Sequence, residues 1–167
     1  VSHVPLLKVE KKNYEEINFP DYRGIIFTSA NAIKFLNIKK IDKKTLCFCV
    51  GNITEKKARS VGFQNVIAAE GNVSNLKELV LQNFDKKFGK LIYVSGENIS
   101  VNLDQQLIKE GYDIKRIVNY HADHNIKLDE KFIQALKSKM PDIVYVYSQN
   151  SAKSFLNLIK IYQLENL

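Results

Sequence analysis

Short apolar runs alternate along the chain, from Gly24 onward, with longer segments whose apolar residues recur at helical spacing. The short apolar runs are typical of buried strands, and the longer segments are typical of amphipathic helices. The pattern predicts strands at 24–28, 45–50, 65–69, 90–95, 113–120 and 142–147. It predicts helices at 30–37, 53–61, 73–84, 100–110, 129–139 and 150–162. This order indicates right-handed strand–helix–strand units around a mainly parallel sheet.

One strand–turn–helix pattern occurs twice, at 25–36 and at 143–156. In the first copy the apolar run is followed by Ser29 and Asn31, two residue types that cap helices. In the second copy Ser148 and Asn150 occupy the corresponding positions. The interval between the copies is too long for a solenoid. We interpret the pattern as one supersecondary unit used in two places.

The long predicted strand near 113–120 runs into a polar stretch, which indicates a connection between two bodies. The extended segment 1–9 is a candidate partner strand, and with residues 119–125 it would form a two-stranded linker. We expect a complete α/β domain at 10–118 and a partial α/β domain at 126–167. One strand–helix pair cannot bury both of its faces, so upstream and downstream residues or a partner are expected to complete the second domain.

Four predicted strand ends carry small, hydroxyl or amide residues at a predicted helix start. Ligands of parallel α/β sheets bind at the carboxyl ends of the strands, and backbone N–H groups there can hold carboxylate or phosphate. The four turns are Thr28-Ser29-Ala30-Asn31, Val50-Gly51-Asn52-Ile53-Thr54, Ser95-Gly96-Glu97-Asn98 and Tyr147-Ser148-Gln149-Asn150. Each alone is typical of a plain helix cap, but four in one chain favour a ligand cleft. None matches a phosphate-binding loop or a dinucleotide fingerprint.

The 167-residue chain carries 25 Lys+Arg and 18 Asp+Glu, a formal net charge of +7. This excess favours a polyanionic partner, whether nucleic acid, an acidic membrane surface or a polycarboxylate ligand. The lysines are scattered in short pairs that are typical of solvated helix ends, and no nucleic-acid-binding motif is present. Nucleic acid is therefore the weakest of these alternatives.

Cys47 and Cys49 share one face of a predicted strand, so both are expected to pack as small hydrophobic residues. A Cys-x-Cys pair without further ligands is a poor metal signal, and we interpret His121 and His124 as solvated loop residues. We therefore expect no metal site. The cysteine usage favours a reducing cytosol, and the sequence has no signal peptide and no apolar run near the roughly 20 residues that span a bilayer.

A series of segments in fixed order extends over nearly the whole chain. The segments are Pro5-Leu6-Leu7-Lys8-Val9, Phe27-Thr28-Ser29-Ala30-Asn31-Ala32, Val50-Gly51-Asn52-Ile53-Thr54, Gly62-Phe63, Asn75-Leu76, Val94-Ser95-Gly96-Glu97, Leu103, Leu107, Gly111-Tyr112, Val118-Asn119-Tyr120 and Tyr147-Ser148-Gln149-Asn150-Ser151-Ala152. No single segment is specific, but their order and spacing resemble the uroporphyrinogen-III synthase family.

The resemblance implies two flavodoxin-like three-layer α/β domains with parallel sheets, joined by a two-stranded linker, with the substrate in the cleft between them. It implies a longer chain, with a strand–helix unit before Val1 and a further turn after Leu167. The implied reaction closes the linear tetrapyrrole hydroxymethylbilane with inversion of ring D and loss of water. It needs no metal or organic cofactor, and the implied enzyme is a cytoplasmic monomer.

Residue by residue, the resemblance implies that Tyr120 is the catalytic acid, although position alone indicates an interface aromatic. Together with the strand-end turns, it gives as candidate substrate-binding residues Thr28, Ser29, Ala30, Asn31, Gly51, Asn52, Thr54, Ser95, Gly96, Glu97, Ser148, Gln149 and Asn150. Four residues depart from the family pattern: Ala30 replaces a common proline, Asn52-Ile53 replaces a Pro-Lys type pair, and Ser95 replaces a frequent arginine. The alternative is a non-catalytic two-lobed binding module for an anionic metabolite, which would use the same turns without needing Tyr120.

Overall fold

The computed structural model describes residues 6–125, 127–139, 141–146 and 148–164. The chain divides into two compact units. One unit comprises residues 10–121, and the other comprises the described residues of 1–9 and 122–167. The candidate residues from Thr28 to Tyr120 all belong to the first unit.

The described residues form a single sheet with the strand order β1-β6-β5-β2-β3-β4. The strands are β1 (Leu7–Lys11), β2 (Tyr22–Phe27), β3 (Leu46–Val50), β4 (Val66–Ala69), β5 (Lys90–Gly96) and β6 (Ile114–His124). The helices are α1 (Ala30–Lys34), α2 (Gly51–Ser60), α3 (Val73–Asn83), α4 (Leu103–Lys109), α5 (Glu130–Ser138) and α6 (Gln149–Ile161). Short 3₁₀ turns lie at Phe19–Asp21, Ile38–Lys40 and Lys86–Phe88.

Strands β6, β5, β2, β3 and β4 are parallel, as the strand–helix alternation predicts. Strand β1 lies beside β6 at the edge of the sheet. Just beyond the two ends of β1, backbone hydrogen bonds run from Lys12 N to Asn119 O (2.9 Å) and from Asn125 N to Leu6 O (3.0 Å). The partner in β6 moves toward the C-terminus as the residue in β1 moves toward the N-terminus, so β1 and β6 are antiparallel.

The central strands β2, β3 and β5 are buried on both faces, which explains why they read as continuous apolar runs. Successive side chains of a strand point to opposite faces, so Ile25 and Phe27 belong to one core cluster and Ile26 to the other. Residues of α1 and α2 complete the first cluster, and residues of α3 and α4 complete the second. The two core clusters thus stabilise the sheet through its faces, and the strand ends can hold polar functional residues.

Cys47 and Cys49 confirm the expectation that they pack as small hydrophobic residues, because both are buried within β3. Their Sγ atoms lie 3.7 Å apart. The hydrogen bond to Cys49 and burial raise the pKa of the Cys47 thiol far above its ordinary value.

Neither thiol should react with an aromatic disulfide reagent while the protein is folded, even at about pH 8, where an exposed cysteine is partly thiolate. Both should react once the chain is denatured, and this denatured sample is the control. Release of the chromophore from the native protein at the rate of a free thiol would contradict the buried positions of these side chains.

Some element boundaries differ from the sequence-based predictions. Helix α2 begins two residues earlier than expected, at Gly51, and α4 begins three residues later, at Leu103. His121 and His124 lie within β6 and not in a loop, which corrects that interpretation. His124 Nδ1 is hydrogen-bonded to Ser154 Oγ on α6.

The strand expected at 142–147 is not formed in its described part, and Tyr147 lies outside the described residues. Ile143 and Tyr145 are 68% and 78% exposed. An apolar run becomes a strand only by pairing with another strand, and the described residues offer 142–146 no such partner. In the described part of the chain, no helix has both the length and the apolar character to cross a membrane.

Candidate active site

The carboxyl ends of β2, β3, β5 and β6 meet at one side of the parallel sheet. Phe27, the last residue of β2, pairs with Cys49 on β3 and with Val94 on β5. Gly96, the last residue of β5, pairs with Tyr120 on β6. The turns that follow these strands therefore lie side by side, where ligands of such sheets bind. This region, which we call the strand-end edge, contains the candidate residues at 28–31, 51–54, 95–97 and 120.

The turn after β2 is stabilised by local hydrogen bonds. Ser29 is the N-cap of α1, and its Oγ accepts a hydrogen bond from Asn31 N at 3.2 Å, which confirms the capping role predicted for Ser29. Asn31 and Ala30 lie within α1 and are half-buried. Thr28 Oγ1 lies 3.1 Å from Tyr93 Oη, so this threonine hydroxyl already has a protein partner.

The turn after β3 leaves its backbone N–H groups without a side-chain cap. Helix α2 begins directly at Gly51, and its N-cap residue, Val50, offers no side-chain acceptor. Gly51 has a φ of +75°, and no atom lies within 4 Å of where a Cβ would stand. Asn52 is exposed, whereas Thr54 is only 5% exposed. Among the turns at the strand-end edge, this helix start is the one best suited to bind an anion through backbone N–H groups.

The turn after β5 is held by an arginine from the neighbouring strand. Ser95 is completely buried, and its Oγ donates a hydrogen bond to Gly96 O at 3.0 Å. Arg116 Nε donates to Ser95 Oγ at 2.8 Å, and Arg116 Nη2 donates to Gly96 O at 2.8 Å and to Glu97 O at 3.1 Å. The Ser95 hydroxyl therefore supports the turn.

Glu97 is exposed, and its carboxylate forms an ion pair with Lys12. The hydrogen bond and charge of Lys12 hold the pKa of the Glu97 carboxyl below its ordinary value. No helix starts at this turn, because α4 begins only at Leu103, after its N-cap residue Asn102. The expectation of a helix start at 95–98 is therefore wrong, and the turn cannot offer the N–H groups of a helix.

Tyr120 is half-buried at the strand-end edge, and its ring lies directly against the Cα of Gly96. A Cβ at Gly96 would stand 2.6 Å from Tyr120 Cζ and 2.9 Å from Tyr120 Oη. The ring of Phe35 lies at a centroid distance of 6.4 Å. The backbone is also fixed, because Glu97 N donates to Tyr120 O at 2.9 Å. These contacts give the phenol a defined position.

A register shift between β5 and β6 produces this contact. Ser95 pairs with Val118 but Gly96 pairs with Tyr120, so β6 has one extra residue, Asn119, at this point. Such a bulge reorients the side chains that follow it. Asn119 is completely buried, and its Nδ2 donates to Ala32 O of α1 at 2.7 Å.

The structure adds Tyr93 and Arg116 to the candidate site. Burial raises the pKa of the Tyr93 hydroxyl, and the charge of Arg116 opposes this shift in part. Sequence reasoning missed both residues, since Tyr93 lies in an apolar run and Arg116 in an alternating strand. For Arg116 the sequence did give one signal. It is a cation two residues after the buried Ile114 and therefore lies on the same face of β6.

The second unit repeats the capping pattern of the first. Ser148 is the N-cap of α6, and its Oγ accepts from Ser151 N at 3.1 Å. Ser148 therefore caps α6 as Ser29 caps α1, which confirms the predicted equivalence of the two serines as helix caps. Ser148 and Asn150 are exposed. Gln149 is the first residue of α6.

A family model described as uroporphyrinogen-III synthase HemD (HEM4) matches the chain over residues 1–167. No curated protein matches the chain. Among solved structures, the chain is similar to uroporphyrinogen-III synthetase from Helicobacter pylori 26695, with a TM-score of 0.68 and 21% sequence identity. The similarity covers 93% of this chain and 70% of that chain.

The two comparisons carry different information. At 21% identity, the structural similarity establishes the mixed α/β fold. The family model extends over every candidate residue, from Thr28 to Asn150. The chain therefore belongs to the uroporphyrinogen-III synthase family, an enzyme family of tetrapyrrole synthesis.

Proposed function

We propose that this protein is a hydro-lyase that converts hydroxymethylbilane to uroporphyrinogen III, with inversion of ring D and loss of water. The observation that carries the proposal is the fixed position of Tyr120 at the strand-end edge, in a chain that matches the family model over residues 1–167. A hydroxymethylpyrrole expels its hydroxyl group readily once that group is protonated. A positioned phenol can supply the proton as a general acid.

Substrate binding is proposed to depend on backbone N–H groups and on charge. The uncapped start of α2 at Gly51 can accept a carboxylate of the substrate. The net charge of +7 attracts a polycarboxylate, and added salt should weaken this attraction. Holding the linear substrate in a curled conformation brings its ends together, which lowers the entropic part of the barrier.

The proposal also includes the domain organisation and the setting of the enzyme. We propose flavodoxin-like domains at 10–118 and 126–167, connected by a linker of 1–9 and 119–125. The five parallel strands β2 to β6, with helices on both faces of the sheet, support this organisation for the first domain. The free cysteines favour a cytoplasmic location. We propose a monomer that acts without a cofactor, and whose partner is the tetrapyrrole and not nucleic acid or a membrane.

The direct test is incubation of the full-length protein with hydroxymethylbilane, followed by oxidation and separation of the uroporphyrin isomers. The expected product is the type III isomer. Formation of only the type I isomer, which arises without an enzyme, would overturn the proposal. Thermal stabilisation by sugar phosphates, without any cyclisation, would favour the alternative of a non-catalytic binding module.

The variant Tyr120→Phe should lower kcat about 10²- to 10⁴-fold, the usual contribution of general acid catalysis. Substrate-induced thermal stabilisation should persist, because the aromatic ring still packs against Gly96. Tyr112→Phe is the matched control: it also removes a phenol hydroxyl, but one that donates to Phe84 O, and its kcat should be unchanged. Normal turnover of Tyr120→Phe would remove this tyrosine from the acid role.

A further inference from the structure

Arg116 has a guanidinium group whose plane is fixed by acceptors at the end of β5. Its Nε and Nη2 atoms donate to Ser95 Oγ, Gly96 O and Glu97 O over distances of 2.8 to 3.1 Å. Arg116 pairs with Tyr93 in the sheet, so its side chain extends along β6 toward the strand-end edge. Gly96 thus contacts both the Arg116 guanidinium and the Tyr120 ring.

The positive charge of Arg116 has no carboxylate partner among the described residues. The adjacent Glu97 gives only its backbone carbonyl to Arg116, since its carboxylate pairs with Lys12. Lys115, the preceding residue, does have such a partner, because its Nζ lies 3.3 Å from Glu15 Oε2. Within the described ranges, Arg116 Nη1 also has no hydrogen-bond acceptor.

A partly buried guanidinium without a carboxylate partner can gain a counter-charge from a ligand. Arginine forms short, charge-assisted hydrogen bonds with carboxylates, and a fixed guanidinium plane reduces the entropy lost on binding. Three neutral acceptors hold one edge of the group and leave Nη1 available to a ligand. The backbone carbonyls by themselves do not require a full positive charge, since neutral donors can satisfy them.

We propose that Arg116 binds a carboxylate of the tetrapyrrole substrate and is a specificity-determining residue of the strand-end edge. This assignment rests on the proposed function, which supplies a substrate with several carboxylates. Arg116 binds substrate and transition state alike, so it lowers KM with little effect on kcat. Tyr120, whose ring also contacts Gly96, affects kcat.

The test compares steady-state kinetics of the wild type, Arg116→Met, Arg116→Lys and Lys115→Met with hydroxymethylbilane. Arg116→Met should raise KM about 10- to 100-fold, the loss expected for a hydrogen-bonded ion pair. The value of kcat should change less than about threefold, because the bond from Glu97 N to Tyr120 O and the pairing of Gly96 with Tyr120 still hold Gly96 beside the phenol. Arg116→Lys should restore part of the affinity, because it keeps the charge but not the planar geometry. Lys115→Met removes one positive charge from the adjacent position of β6, and its KM should stay near that of the wild type.

The salt dependence of KM gives a second measurement that a purely structural arginine would not change. KM should rise less steeply with ionic strength in Arg116→Met than in the wild type, since one screened attraction is absent. If Arg116→Met does not fold, the KM of Arg116→Lys and the salt dependence of that KM test whether Arg116 binds the substrate.

Two outcomes separate this proposal from the proposed function. In the first, the wild type forms the type III product, but KM is unchanged in Arg116→Met or rises equally in Lys115→Met. This outcome would overturn the assignment of Arg116 and leave the proposed function intact. Absence of type III product from the wild type would overturn the proposed function and the assignment together.

Discussion

Replacing Gly96 with alanine is expected to lower the rate of type III product formation about 10²-fold, the loss that a displacement of about 1 Å can cause in an active site. The new Cβ would stand 2.6 Å from Tyr120 Cζ, a distance that requires one of the two groups to move. Tyr120 cannot move without cost, because Phe35 lies beside its ring and Glu97 N holds its backbone. The effect should appear in kcat, measured by initial rates at saturating hydroxymethylbilane.

Gly24→Ala is the matched control for this prediction. Its new Cβ would meet Leu91 Cδ2, also at 2.6 Å, but at the start of β2 and away from the strand-end edge. It should lower thermal stability and leave kcat near the wild-type value. Adding Gly96→Ala to Tyr120→Phe should cost little further activity, since the hydroxyl is already absent. A Gly96→Ala enzyme with normal kcat would contradict the proposed dependence on the position of Tyr120.

Replacing Asn119 with aspartate is expected to lower the free energy of unfolding by about 3–5 kcal/mol at neutral pH, the cost of leaving a buried charge without a partner. Asn119 is completely buried, and its Nδ2 donates to Ala32 O at 2.7 Å. A carboxylate cannot donate, so an anion would face a carbonyl oxygen inside the protein. Among the described residues, Asn119 Oδ1 has no hydrogen-bond partner that could compensate.

The sign of the pH dependence follows from the burial of the introduced carboxyl group. Burial raises its pKa in the folded state above the value of about 3.9 in the unfolded chain. The folded state then holds the proton more tightly, so Asn119→Asp should be most stable at low pH and lose stability as the pH rises through the folded-state pKa. Urea denaturation at several pH values, relative to the wild type, measures this.

Asn83→Asp gives the control at the surface. Asn83 is exposed, and its Nδ2 donates to Leu79 O at 2.9 Å, which is the same type of bond. The change should cost less than about 1 kcal/mol, since water solvates the new charge. Equal destabilisation in both variants would show that the buried position of Asn119 has no special role.

Local interactions account for most of what could be predicted along the chain. The caps by Ser29 and Ser148 were predictable because each bond joins residues two or three positions apart. The prediction of a helix start at 95–98 was wrong because it used the same local signal. The small and polar residues there suit an open turn as well as a helix cap. The open turn is stabilised by Arg116 of the neighbouring strand, which donates hydrogen bonds to the carbonyls of Gly96 and Glu97.

The contacts that define the candidate site join residues far apart in the sequence. Thr28 meets Tyr93, and Asn119 meets Ala32, only because of the strand order and the register of the sheet. The contact of Tyr120 with Gly96 depends on one extra residue in β6, for which an apolar pattern gives no signal. The charge of Arg116 was visible in the sequence, but its lack of a carboxylate partner among the described residues was not.

The sequence by itself determined the alternation of strands and helices, their approximate ends and the residue types at each strand end. These follow from hydrophobic periodicity and from short-range hydrogen bonds, which the chain specifies locally. Only the tertiary structure decided which strand ends are neighbours, and that the apolar run at 142–146 is no strand. Strand pairing joins distant segments, and its register depends on packing across the whole sheet. The same dependence brings both Tyr120 and Arg116 into contact with Gly96.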